Sequence, residues 1–303
     1  MRPHVKSITA IIVLLVTTTL ATTQDKLGAG EILHRHLDSI AAPATLAAAK
    51  SRVIEATSVY RVLVGGTGEV AGKAVFVSDG NKLHILLKIN APQFTGEQFI
   101  RDGDKTSVAA TYQDKSRSEF GTFLRGEDAP LREGLLGGVL TTDWPLLDLD
   151  AHKSKIHYLG LKNVDGSDLH AVAYQPRKGA NLDITLYFDP QTFRHVRTVY
   201  TANQNVGLGQ GGQNDAMAPP SEIARTTPNG ADVNSARQQQ TRYRIEERFS
   251  DFKTVDGFTL PSHYDLRYQE ELQNGFTKVV EWEVTTTRVL NNISVDARNF
   301  QIH

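Results

Sequence analysis

Four Asp-Gly dipeptides set between extended runs limit what this chain can fold into more than any other feature. They occur in SDGNK (Ser78 to Lys82), RDGDK (Arg101 to Lys105), VDGSD (Val164 to Asp168) and VDGF (Val255 to Phe258), and DPQT (Asp189 to Thr192) marks a fifth turn. Asp-Gly supplies the positive φ that a two-residue hairpin needs, so each site joins two strands that are neighbours in sequence. The spacing predicts a meander of about twelve antiparallel strands beginning near Glu55, at the 8 to 12 residue repeat typical of sheets and barrels.

Alternation along the runs tells the two faces of that sheet apart. In LDITLYFD, Leu182, Ile184, Leu186 and Phe188 share one face, while Asp183, Thr185, Tyr187 and Asp189 share the other. In LPSHYDLRYQ, Leu260, Ser262, Tyr264, Leu266 and Tyr268 oppose His263, Asp265 and Arg267. One face is therefore apolar and needs a cover.

Two segments have the pattern to supply it. Ile32, Leu33, Leu37 and Ile40 fall at helical spacing between Gly28 and Lys50, with a break at Pro43. In Gly126 to Asp150, Leu131, Leu135, Leu136, Val139 and Leu140 fit a short helix, and Trp144, Leu146, Leu147 and Leu149 an apolar hook. The expected class is α+β, mostly β, with helices covering one face of a single antiparallel meander. Residues 202–240, rich in Gln, Asn, Gly, Pro and Ala, read as a disordered insertion between strands of one domain.

The first residues place the chain in a compartment. Arg2, His4 and Lys6 precede a 13-residue apolar run, Ile8 to Leu20, and the small residues Ala21, Thr22 and Thr23. A spanning helix needs about 20 residues, so 1–23 read as a cleaved signal peptide and 24–303 as an exported, periplasmic domain. The sequence contains no Cys, hence no disulfide, no thiolate chemistry and no lipidation site. With 33 basic and 34 acidic residues and no clustered basic footprint, nucleic acid is not an expected partner.

The initial helix, the hairpin meander, the hook and the phrases YFDPQTF, DGFTLP and EWEVTTTRVLNNISVDARNF resemble the LolA/LolB-like periplasmic lipoprotein-carrier superfamily over essentially the whole of 24–303. The resemblance implies an unclosed half barrel bent round an apolar cavity, lidded by helices, that accepts acyl chains. It implies binding of lipoprotein acyl chains or lipid, by a monomer that meets an inner- or outer-membrane transport complex during outer-membrane biogenesis. It also implies an arginine that holds the lid, for which Arg61 and Arg125 are candidates. The expected lining is Leu182, Ile184, Leu186, Phe188, Tyr264, Leu266, Tyr268 and Trp282 from the sheet, with Leu135, Leu136, Trp144 and Leu147 from the lid. The alternative is a non-catalytic scaffold or assembly factor in which the same residues fill a solid core.

Other chemistry finds little support. No helical zinc-protease spacing of histidines occurs, His34 and His36 read as a solvated helix surface, and His170 and His195 read as ordinary histidines. GLGQGG (Gly207 to Gly212) lacks the Lys-Ser/Thr ending of a phosphate loop. Glu246 and Glu247 are adjacent on a strand and face opposite sides, so they form no acid–base pair. Neither metal nor cofactor is expected, nor enzymatic activity.

Overall fold

The computed structural model describes residues 27–91, 94–112, 117–207 and 238–302. The segment 1–23, expected to be a signal peptide, lies outside them. Among the described residues twelve strands form one sheet: β1 (Ser51–Val64), β2 (Gly68–Asp79), β3 (Lys82–Ile89), β4 (Gly96–Asp102), β5 (Lys105–Ala110), β6 (Lys155–Val164), β7 (Ser167–Gln175), β8 (Asp183–Phe188), β9 (His195–Gly207), β10 (Gln238–Val255), β11 (Phe258–Leu272) and β12 (Thr277–Asn291). All pairings are antiparallel, in the order β5-β4-β3-β2-β1-β12-β11-β10-β9-β8-β7-β6. The five sequence turns join β2–β3, β4–β5, β6–β7, β8–β9 and β10–β11. At two of them the Asp-Gly pair takes positive φ at both residues, Asp165/Gly166 and Asp256/Gly257, as a hairpin twisted to match its strands requires.

This order dictates the cover. β5 and β6 are consecutive in sequence but lie at opposite edges of an unclosed sheet, so residues 111–154 must cross from one edge to the other. The apolar face of the sheet is what they cross. The crossing segment contains α3 (Glu119–Gly126), the single turn α4 (Ala129–Arg132), 3-10 turns at Gly138–Leu140 and Pro145–Leu147, and the single turn α5 (Leu149–His152). From the N-terminal side, α1 (Ala29–Ile40) and the short α2 (Pro43–Ala48) join it. Ile32, His36 and Ile40, four residues apart, form the buried stripe of α1.

Three expectations need correction. The regular helix expected through Leu131–Leu140 is absent: Gly134, Gly137 and Gly138 all have positive φ, which ends α4 after one turn. A Cβ at Gly138 would stand 2.9 Å from the Phe249 ring, so the backbone itself is pressed onto the sheet. Leu131, Leu135, Leu136, Val139 and Leu140 are nonetheless buried. Next, strand pairing runs on to Gly207 and resumes at Gln238, because backbone pairing needs no apolar side chain; the expected insertion shrinks to 208–237, outside the described residues. Finally, α3 falls in a stretch assigned no helix from sequence. Its signal was present: Ser118 caps the helix by accepting from the Gly121 N–H, and Phe120, Phe123 and Leu124 follow at helical spacing.

Candidate functional site: a covered apolar face

The apolar face and its cover meet in one continuous cluster of buried side chains. Eleven of the twelve residues expected to line a binding space belong to it: Leu135, Leu136, Trp144, Leu182, Ile184, Leu186, Phe188, Tyr264, Leu266, Tyr268 and Trp282. Leu147 is partly buried and packs against its edge. Inward residues of β8 and β11 thus face the crossing segment as alternation requires, and Trp282 joins them from β12. Side chains occupy the interface, with Phe120 against Trp282 at 5.7 Å and Phe76 against Tyr264 at 5.8 Å between ring centroids. Trp282 is fully buried, yet its Nε1–H has no acceptor among the described residues.

Buried polar groups pin the cover to the sheet at separate points. Arg52, on β1, donates from Nη1 to the Val139 carbonyl at 2.8 Å and from Nε to Asn291 Oδ1 at 2.8 Å, with its guanidinium 4.7 Å from the centre of the Phe258 ring. Burial lowers its pKa to about 10, so it stays charged at neutral pH. Arg101, on β4, pairs with Asp143 and donates from Nε to the Arg132 carbonyl at 2.7 Å. On the sheet side, Ser78 Oγ accepts from the Thr142 N–H at 2.9 Å. Arg52 and Arg101 thus bond the crossing segment to the sheet, a contact expected of Arg61 or Arg125. Arg61 is engaged on the outer surface with Glu69 and Glu283, and Arg125 is exposed. The misassignment has a physical cause: an arginine that holds backbone carbonyls 31 and 87 residues away leaves no local pattern.

Glu247 is the central pin. It is fully buried and accepts hydrogen bonds from Tyr200 Oη at 2.6 Å, Tyr264 Oη at 2.8 Å and the Gly137 N–H at 2.7 Å. Burial raises its pKa to about 7 against the pull of those three donors. A second inward carboxyl, Glu97, sits against the start of α3, where the Ser118 hydroxyl donates to it at 2.7 Å, and burial raises it likewise to about 7. Sequence alternation put Glu246 and Glu247 on opposite faces, and the structure agrees. Glu246 lies outward under Arg197, Arg244 and Arg248.

His36 also departs from expectation: it is buried beneath the hook rather than solvated, because it shares the stripe of Ile32 and Ile40. Its Nδ1 faces the Phe193 carbonyl at 3.1 Å, and its Nε2 accepts from Trp144 Nε1 at 3.2 Å. Only the neutral ring, one donor and one acceptor, satisfies both partners. Burial, opposed by the Phe193 bond, lowers the His36 pKa to about 4. His195 stacks on Trp144 at 4.8 Å, while His170 bonds Tyr158 at 2.9 Å.

Glu247 carries a pH signature. A carboxyl that holds its proton more tightly folded than unfolded contributes stability that is full below pH 4.5 and lost as pH rises through about 7. Relative to Glu247→Gln, the native protein is expected to lose about 2–3 kcal/mol between pH 5 and pH 8. Urea midpoints at the two pH values measure it, and parallel profiles would refute the assignment.

Among the solved structures similar to this chain are the following two. One is a LolA superfamily protein from Nitrosomonas europaea, 13% identical with a TM-score of 0.44, covering 91% of this chain and 98% of that one. The other is a DUF1329 family protein from Desulfovibrio piger, also 13% identical with a TM-score of 0.44, covering 90% and 96%. No family model and no curated protein matches the chain. Identities this low say nothing about a ligand, so chemistry must come from this chain's own side chains.

Proposed function

We propose that this protein is a non-catalytic, exported carrier that binds an acyl chain between the apolar face of the sheet and the crossing segment, which lifts as a lid. The carrying observation is the manner of attachment. Beyond α3 the crossing segment is a series of single turns fastened by discrete polar pins, Arg52 to Val139, Arg101 to Asp143 and Glu247 to Gly137, over a face that is otherwise apolar. Such a cover separates from the sheet without disturbing the strand ladders. The unpaired Trp282 Nε1–H offers a donor to the carbonyl of an ester- or amide-linked chain. Burying ten methylenes would contribute roughly 8 kcal/mol before association costs. An acyl carrier of this kind works in the periplasm and exchanges its load with membrane-bound partners.

The lid is tested by Arg52→Met. Amides of the pins, Gly137 and Thr142, are expected to exchange with deuterium about tenfold faster than in the native protein, while the β10–β11 ladder keeps its protection. Uptake of a fluorescent fatty acid should be faster in the same variant. The scaffold alternative draws on the filled interface; it predicts no uptake by either protein.

A further inference from the structure

Beside the covered face, α3 and the ends of β10 and β11 enclose a cleft of about 360 Å³. Three aromatic rings meet there: Phe123 lies 4.9 Å from Tyr243 and 6.1 Å from Tyr268, and the two tyrosines are 6.3 Å apart. The register explains the grouping. Tyr268 and Glu270 are two apart on β11 and so share a face, and Tyr243 stands directly opposite Glu270 across the β10–β11 ladder. Glu119 closes the cleft from α3, and the exposed Arg117 stands at its rim.

Two basic residues, Arg117 and Lys278, stand with the carboxylates Glu119 and Glu270 around the site. Lys278, opposite Glu270 on β12, is committed to Glu119. Glu270 is half-buried, accepts a 3.4 Å bond from Tyr268 Oη, and forms no ion pair with a basic group among the described residues. An aromatic cluster beside a carboxylate without a counterion suits one class of ligand, a weakly hydrated organic cation, which ring faces attract and which gives up little solvation on entry. An anion passing Arg117 at the rim would meet two carboxylates and the aromatic cluster.

We propose that the Phe123, Tyr243, Tyr268 and Glu270 cleft binds a quaternary ammonium group, as the headgroup of an amphiphile whose acyl chains enter under the cover. Tyr268 connects the two spaces, since it borders the cleft and belongs to the buried cluster. The acyl part of this inference rests on the carrier reading; the cation site does not.

The test compares dihexanoyl phosphatidylcholine with dihexanoyl phosphatidylglycerol, both below their micellar concentrations, and choline chloride alone, by titration calorimetry on the full chain. The choline lipid is expected to bind about tenfold more tightly than the glycerol lipid. Glu270→Gln and Tyr243→Leu are each expected to remove that preference by weakening the choline lipid, and unchanged thermal melts show that the variants fold. Equal affinities in the native protein, or a preference that survives both substitutions, would overturn the headgroup site and leave the carrier standing. Binding of choline alone, lost in the variants, with neither lipid bound, would support the cation site and sink the carrier. No binding of any of the three overturns both.

Discussion

Arg101→Met is expected to destabilise the protein by about 3–5 kcal/mol, because it strands the Asp143 carboxylate in the interior without its cation. The Asp143 side chain is wholly inaccessible and that of Arg101 nearly so. Loss of the guanidinium also removes the donors to the Arg132 and Asn81 carbonyls. Burial, opposed by Arg101, already raises the Asp143 pKa to about 7; without the arginine it rises further. The folded variant therefore escapes part of its penalty by taking a proton, and the loss should be smaller at pH 5 than at pH 8. Adding Asp143→Leu should recover most of it, since breaking a buried pair costs more than replacing it. Urea denaturation of the single and double variants gives the comparison. A loss under 1 kcal/mol at pH 8 would mean that this pin does not hold the cover.

Trp144→Ala should cost about 3–5 kcal/mol, through the lost contacts and the space left behind. Trp144 joins three parts of the molecule: it belongs to the crossing segment, stacks on His195 of β9, and donates to His36 of α1. Its removal also exposes His36 Nε2 to protonation. Because the His36 pKa is depressed, its contribution is full above pH 6.5 and lost as pH falls toward about 4. With the depression relieved, the acid limb of stability should be shallower in the variant. Thermal melts between pH 4 and pH 7 would reveal it, and Trp144→Phe, which keeps most of the volume but not the N–H, separates packing from the hydrogen bond.

The strand meander was legible because its determinants are local. Asp-Gly fixes a hairpin within four residues, and the alternation at Leu182–Phe188 and Leu260–Tyr268 assigns each strand its inward face. The site's apolar members on β8 and β11 follow from that alternation, whereas those of the cover follow from leucine spacing. Its polar members do not. Glu247 looks like one charge among many in TRYRIEERFS, and its burial depends on Tyr200, Tyr264 and Gly137 arriving from three distant segments. His36 was misjudged because its neighbours on the helix are charged, although its i±4 relation to Ile32 and Ile40 marked the buried stripe. The crossing segment was expected to be more helical than it is, since leucine spacing was weighed above glycines that take positive φ. Those errors share a cause: side chains recruited over long sequence separations answer to topology, and the topology, with β5 and β6 at opposite edges, becomes visible only when the sheet is assembled.

The central claim, that an acyl chain occupies the space between sheet and cover, is tested most directly by native mass spectrometry of the full chain, expressed for export and recovered without detergent. The account predicts bound species that leave on activation, with a mass matching a lipid or acylated peptide found in an organic extract of the same sample. A bare chain that also fails to take up added lipid would contradict it and point instead to a scaffold with a solid core.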